Sequence, residues 1–196
     1  QRVPGSADRG DSRGYWKGQS ARAIASGPGG RVLRDGTGAV ARSAGEETGD
    51  FAHIFINGQD VAQNERGYNL VAISPAGALL ASAVFDTSGD DTASGSLADW
   101  LEQWPAGTII AGAVADEASL QLGEEAVAAL QGAGVSVDLR GKLRWGHAFV
   151  SAVGAEPGAA VEASDLLHPV AAVVGSPVDG AEVFGGLRSV TIRQSN

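Results

Sequence analysis

Hydrophobic and polar positions alternate through much of the chain with the period-two spacing of strands that have one buried face. Phe51-Ala-His-Ile-Phe-Ile56 is such a run, and Asn57-Gly58 behind it is a strong hairpin turn signal. Tyr68 to Ile73 and Leu79 to Phe85 read as two antiparallel strands joined at Pro75-Ala76-Gly77. A polar loop, Asp86 to Thr92, precedes a change to helical period. Leu97, Trp100, Leu101 and Trp104 recur at i, i+3, i+4 and i+7, with Ser96 and Asp99 placed as a capping-box variant and Pro105 as the stop. Thr108 to Val114 is almost continuously apolar, which predicts a central strand buried on both faces.

A second helix is predicted over Glu124 to Gln131, acidic in its first turn and ended by Gly132 and Gly134. Val135 to Asp138, His147 to Val153, Val170 to Val174 and Leu187 to Ile192 complete the set of strands. Near the N-terminus two short alternating stretches, Ala21 to Ala25 and Arg31 to Arg42, read as edge strands broken by Gly27-Pro28-Gly29-Gly30 and Asp35-Gly36. The expected class is mixed α/β: a compact, sandwich-like domain of mainly antiparallel strands with two main helices. It divides into a Gly-rich basic arm (1–46) anchored by Tyr15 and Trp16, a main domain (47–175) and a C-terminal strand extension (176–196).

Charge sharpens that division. Residues 1–45 carry eight basic and three acidic side chains, whereas the remaining residues carry six basic and twenty acidic ones. An acidic body repels phosphate backbones, so nucleic acid is not an expected partner. The basic arm suits contact with the body or with an acidic neighbour. No apolar run approaches the ~18 residues of a membrane-spanning helix. Without Cys there is no disulfide framework, thiol nucleophile or thiolate metal site. Gln1 opens a chain that contains no Met, which points to a trimmed product and fits an extracytoplasmic protein, secreted or at a bacterial periplasm or cell surface, after loss of an N-terminal segment.

No enzyme signature stands out. The glycines at 27–30 are not followed by a helix or a Lys-Ser/Thr pair, as a phosphate loop requires. His53, His147 and His168 have no i+4 partner for a metal, and Asp86, Asp90 and Asp91 supply only part of a calcium loop. No cofactor or metal is expected. Asp116-Glu117 closes the buried strand, a place for a binding carboxylate or a helix-entry cap. Arg140, Lys142 and Arg144 with Trp145 form a basic cluster on the acidic body. Such a cluster either pairs with nearby carboxylates or forks hydrogen bonds to sugar hydroxyls beside an aromatic ring.

Several blocks, taken in order, carry a family resemblance. They are Glu65-Arg-Gly-Tyr-Asn-Leu-Val-Ala-Ile-Ser-Pro-Ala-Gly77, Ala83-Val-Phe-Asp-Thr87, Pro105 to Ser119 ending in Asp-Glu-Ala-Ser, Glu124-Glu-Ala-Val-Ala-Ala-Leu130, and Leu143-Arg-Trp-Gly-His-Ala-Phe149. Across about residues 50–155 the chain resembles the interleukin-like EMT inducer family. The resemblance implies a sandwich-like α/β fold without catalytic activity. That family includes secreted cytokine-like proteins, domains of cell-surface hyaluronidase-related proteins and the stem domain of protein O-mannose N-acetylglucosaminyltransferase, which binds a β-linked N-acetylglucosamine.

Carried over motif by motif, the resemblance implies sugar contacts at Arg66, Asp116 and Arg144. The expected ligand set is completed by Trp145, in place of an acidic residue, and His147, in place of the family's Trp. The cysteines of the secreted animal members are absent here. Arg66, Asp116 and Arg144 suit either a sugar pocket or a structural ion-pair network. The resulting expectation is a non-catalytic extracytoplasmic module that recognises a glycan. The alternative is an accessory subunit that stabilises a larger assembly through its arm and sheet edges.

Overall fold

The computed structural model describes residues 38–175 in full, together with the backbone of three short strands ahead of them. Those strands are β1 (Lys17–Gln19), β2 (Ala25–Ser26) and β3 (Gly30–Arg31), of which β2 and β3 pair antiparallel across residues 27–29. Tyr15, Trp16, the Asp35-Gly36 turn and the expected strand Leu187 to Ile192 lie outside the described residues.

The described body continues with β4 (Gly38–Gly45), a single 3-10 turn at Glu46–Thr48, β5 (Phe51–Ile56), β6 (Gln59–Asp60), β7 (Gly67–Ile73) and β8 (Leu79–Phe85). Helix α1 (Ala93–Glu102), β9 (Ile109–Asp116), helix α2 (Glu124–Gly132), β10 (Gly146–Ala152), β11 (Val161–Asp165) and β12 (Val170–Gly175) follow. One antiparallel ladder runs β8-β7-β9-β10-β11. A second runs β6-β5-β4-β12 antiparallel and adds β1 parallel to β12. They join where the ends of β4 and β9 run parallel, with Gly45 beside Asp116.

Two apolar layers follow from the alternation. Ile109, Ala111 and Ala113 of β9 meet Val71, Ala41, Ile54 and Val150 between the ladders. Ile110 and Val114 of the same strand meet Leu70, Leu97, Leu130 and Phe149 under the helices. β9 is thus buried on both faces, as its apolar run predicts. Each such Leu or Ile contributes roughly 1.5–3 kcal/mol of burial. Phe149 lies over Gly112, where a Cβ would stand 2.3 Å from its ring, so glycine is what admits that aromatic. The hairpin expectations hold: Asn57 and Gly58 have φ of 50° and 82°, the mirror-image turn that matches strand twist.

Four local expectations are corrected. Ser96 does not cap α1, which starts three residues earlier at Ala93 behind Thr92. The early start is held by tertiary bonds: the Ser94 hydroxyl donates to the Gln121 carbonyl and accepts from the Gly123 N–H. Val135 to Asp138 joins no ladder, because the N–H groups of Ser136 and Val137 donate to the Glu162 carboxylate. The Arg31 to Arg42 stretch gives no edge strand at its C-terminal end: β4 lies between β12 and β5, so the core crosses the boundary expected at residue 46. β11 carries Glu162 and Asp165 in a short run after Gly154 and Gly158, and its alternation is too brief to register in the sequence.

Candidate functional site

The sheet register assembles the site before any side chain does. β9 ends at Asp116, the pairing of Gly67 with Ala115 brings Arg66 alongside, and the parallel contact of Gly45 with Asp116 brings the turn that carries Glu46 and Glu47. The Arg140–Trp145 loop closes in from β10. Gly45 touches its backbone so closely that a Cβ would stand 1.9 Å from the Arg144 carbonyl oxygen.

Both arginines are held by carboxylates other than Asp116. Arg66 makes a forked pair with Asp86, Nε to Oδ1 at 3.1 Å and Nη2 to Oδ2 at 2.7 Å. Asp86 also accepts the Gly89 N–H at 3.0 Å, and the Arg66 bond pulls its pKa below the usual carboxylate range. Arg144 spans two glutamates, with Nε 2.6 Å from Glu46 and Nη1 2.7 Å from Glu47. Each guanidinium keeps one nitrogen with no partner among the described residues: Nη1 of Arg66 and Nη2 of Arg144.

Asp116 differs from every other member. It is partly buried, and its carboxylate takes no hydrogen bond among the described residues. Burial pushes its pKa up; Asp50, Glu46 and Glu117 push the same way, and Arg66 opposes them. Asp116 and Arg144 also hold left-handed backbone, with φ of 60° and 62°. That conformation costs a non-glycine residue on the order of 1 kcal/mol or more and persists only where surrounding contacts enforce it.

Glu117 supplies the enforcement. It is 5% exposed, and its carboxylate accepts the backbone N–H groups of Ser119 and Arg144. The helix-entry cap expected of the Asp116-Glu117 pair does not form, because α2 begins behind Gly123 with no side-chain cap; Glu117 instead ties residue 119 to the Arg144 loop. Neither Glu46 nor Glu47 has a local signal in the sequence, because what they touch lies 97 or 98 positions further along. Asp86 stood out as part of a carboxylate cluster, but its partner is Arg66. Asp90 instead accepts the N–H and hydroxyl of Thr92. No group of three or more potential ligands suited to a metal occurs among the described residues.

Trp145 is half-buried, its ring packed on the layer under the helices with the Lys142 ammonium 5.3 Å from the ring centre. His147 does not join the set. It is fully buried, 3.3 Å from the Tyr68 hydroxyl through Nδ1 and 3.3 Å from Glu162 through Nε2. Alternation along β10 turns it to the same side as Phe149, 5.3 Å away, where no surface ligand reaches it.

The stretch holding all of these positions, residues 66–155, matches the model of the family described as interleukin-like EMT inducer. Over those residues the chain is similar to that family. No curated protein matches the chain. The matched stretch contains β7 to β10 and both helices, while β4, β5 and β12, which build most of the second ladder, lie outside it. Its Arg66, Asp116 and Arg144 meet at one end of the sheet, where the acidic turn from outside the match completes their surroundings.

Proposed function

We propose that this chain is a non-catalytic carbohydrate-binding module and that its ligand docks on Asp116 between Arg66 and Arg144. The observation that carries the reading is the partly buried carboxylate of Asp116, which takes no hydrogen bond among the described residues and sits in left-handed backbone beside the Glu117 clamp. A carboxylate in this condition is a ready acceptor for a ligand hydroxyl. Nη1 of Arg66 and Nη2 of Arg144 are donors suited to a hydroxyl or an acetamide oxygen. Glu46, Glu47, Asp50, Asp86 and Glu117 outnumber the two arginines around Asp116, so the site disfavours acidic sugars and suits a neutral one such as an N-acetylglucosamine glycoside.

The family match over residues 66–155 supports a binding role, and no nucleophile with an adjacent base occurs in the described cluster to support turnover. Titration with a β-linked N-acetylglucosamine glycoside, followed by amide chemical shifts, tests the assignment. Saturable shifts at Gly45, Arg66, Asp116 and Arg144, lost in Asp116→Asn, are the expected result. Absence of retention on a broad neutral-glycan array rejects it.

A further inference from the structure

The Arg66–Asp86 pair lies at the surface, yet the backbone beside each residue is gripped by a buried polar side chain. Asn69 is 1% exposed on β7, on the face where Val71 and Ile73 join the apolar layer between the ladders. Asparagine is depleted in strands, and a buried amide costs free energy unless its polar atoms are paired. Here they are paired with the segment around Arg66. Nδ2 donates to the Glu65 carbonyl at 2.6 Å and to the Gly67 carbonyl at 3.3 Å, and Oδ1 accepts the Glu65 N–H at 3.1 Å. Arg66 is thus held through both of its neighbours. Gly67 fixes the same bend: its φ is 94°, and a Cβ there would stand 2.2 Å from the Phe85 carbonyl oxygen.

Thr87 does the same for Asp86. It is fully buried, and its hydroxyl donates to the Ala118 carbonyl at 2.8 Å. Its own carbonyl accepts the Gln121 N–H at 2.8 Å. These two bonds fasten the Asp86 loop to residues 118–121, which follow closely on Asp116. Glu117 fastens the same stretch to the Arg144 loop. Both arginine clamps are therefore anchored to one short segment, residues 116–121. Their separation across Asp116 is set by these backbone ties and not by the long side chains themselves.

We infer that Asn69 and Thr87 are positioning residues of the binding site, which fix the Arg66–Asp86 pair relative to Asp116 before a ligand arrives. The inference rests on the carbohydrate-binding reading for what is bound, and on the bonds just described for what is positioned. Neither side chain reaches the surface, so each acts through Arg66 and Asp86. Arg66 is near enough for its charge to act on Asp116, so a shift of its guanidinium alters the surroundings of that carboxylate. A guanidinium held in place has already lost the rotamer freedom that ordering on binding would subtract from affinity.

Titration with the methyl β-glycoside of N-acetylglucosamine, read by amide shifts, compares four variants with the wild type. Thr87→Val keeps the side-chain shape and loses the hydroxyl, and Asn69→Ala removes the amide. Each should weaken binding roughly tenfold, the scale of losing a partner that orients a binding residue. Thr87→Ser keeps the hydroxyl and should bind as the wild type does. Ile73→Ala, a core truncation at the far end of β7 from Arg66, lowers stability alone and should leave affinity unchanged. The Arg66 Nε–H resonance is a readout that needs no ligand. Its shift, set by the bond to Asp86, should move in Thr87→Val and Asn69→Ala and stay in the other two variants. Wild-type affinity in Thr87→Val, equal weakening by Ile73→Ala, or an unmoved Arg66 resonance in Thr87→Val would each overturn the inference. A wild-type chain that binds no glycoside rejects the carbohydrate reading, and the Arg66 resonance then decides the positioning on its own. Should Asn69→Ala not fold, Thr87→Val against Thr87→Ser carries the test.

Discussion

Gly45 and Arg144 meet backbone to backbone, 99 positions apart, so closely that no side chain fits at residue 45. The contact fixes the loop bearing Arg144 against the end of β4 and so sets where its guanidinium reaches Glu46 and Glu47. Gly45→Ala should cost about 1–3 kcal/mol by overpacking, since the obstacle is a main-chain oxygen and cannot swing aside. Urea denaturation measures the loss, and the amide shifts of residues 140–146 should move most.

Asp116 separates a binding site from a structural ion-pair network. Its folded pKa is raised, so the folded state holds its proton more tightly than the unfolded chain, and the ionised carboxylate weakens the fold. That penalty is fully present above the folded pKa and absent below the unfolded one. Asp116→Asn should therefore leave stability at pH 7 unchanged or higher, by less than about 1 kcal/mol, and the gain should fade on acidification. Thermal melts of both proteins at pH 7 and pH 3 measure it. A clear loss of stability at pH 7 would mark Asp116 as structural.

Glu117 should behave in the opposite way. Its removal strands the N–H groups of Ser119 and Arg144, and each buried donor left unpaired costs about 1–3 kcal/mol. Glu117→Ala should be destabilised on that scale and should release the left-handed conformation at Arg144. Chemical denaturation and backbone shifts at residues 116–119 and 144 are the readouts.

Glu162 ties the Val135 to Leu139 segment to β11 and to His147. Burial alone would raise its pKa, but hydrogen bonds from His147 and Ser136 outweigh burial and lower it from 4.5 to about 2. A carboxylate with a depressed folded pKa stabilises the fold above its unfolded pKa, and that contribution disappears as pH falls from 4.5 to about 2. Burial also lowers the pKa of His147, so acid works against the fold there as well. Glu162→Gln should lower stability at pH 7 by about 1–3 kcal/mol. It should also flatten the stability profile across that acid window, as pH-dependent denaturation midpoints will show.

Short-range chemistry made much of the chain legible in advance. Asn57-Gly58 and Pro75-Ala-Gly77 dictate their turns locally, the spacing of Leu97, Trp100 and Leu101 needs only helical geometry, and the apolar run of β9 reports burial on both faces. Arg66, Asp116 and Arg144 were nameable because they stand in ordered motif blocks. Their condition was not. Among the described residues Asp116 is left without a hydrogen-bond partner because Glu46, Glu47 and Asp86 take the two arginines, and those carboxylates arrive through the registers of Gly45 with Asp116 and Gly67 with Ala115. Interior placement of β4 and burial of His147 likewise depend on which strands pair. Strand pairing joins residues a hundred positions apart, and no local pattern of side chains encodes a partner at that distance.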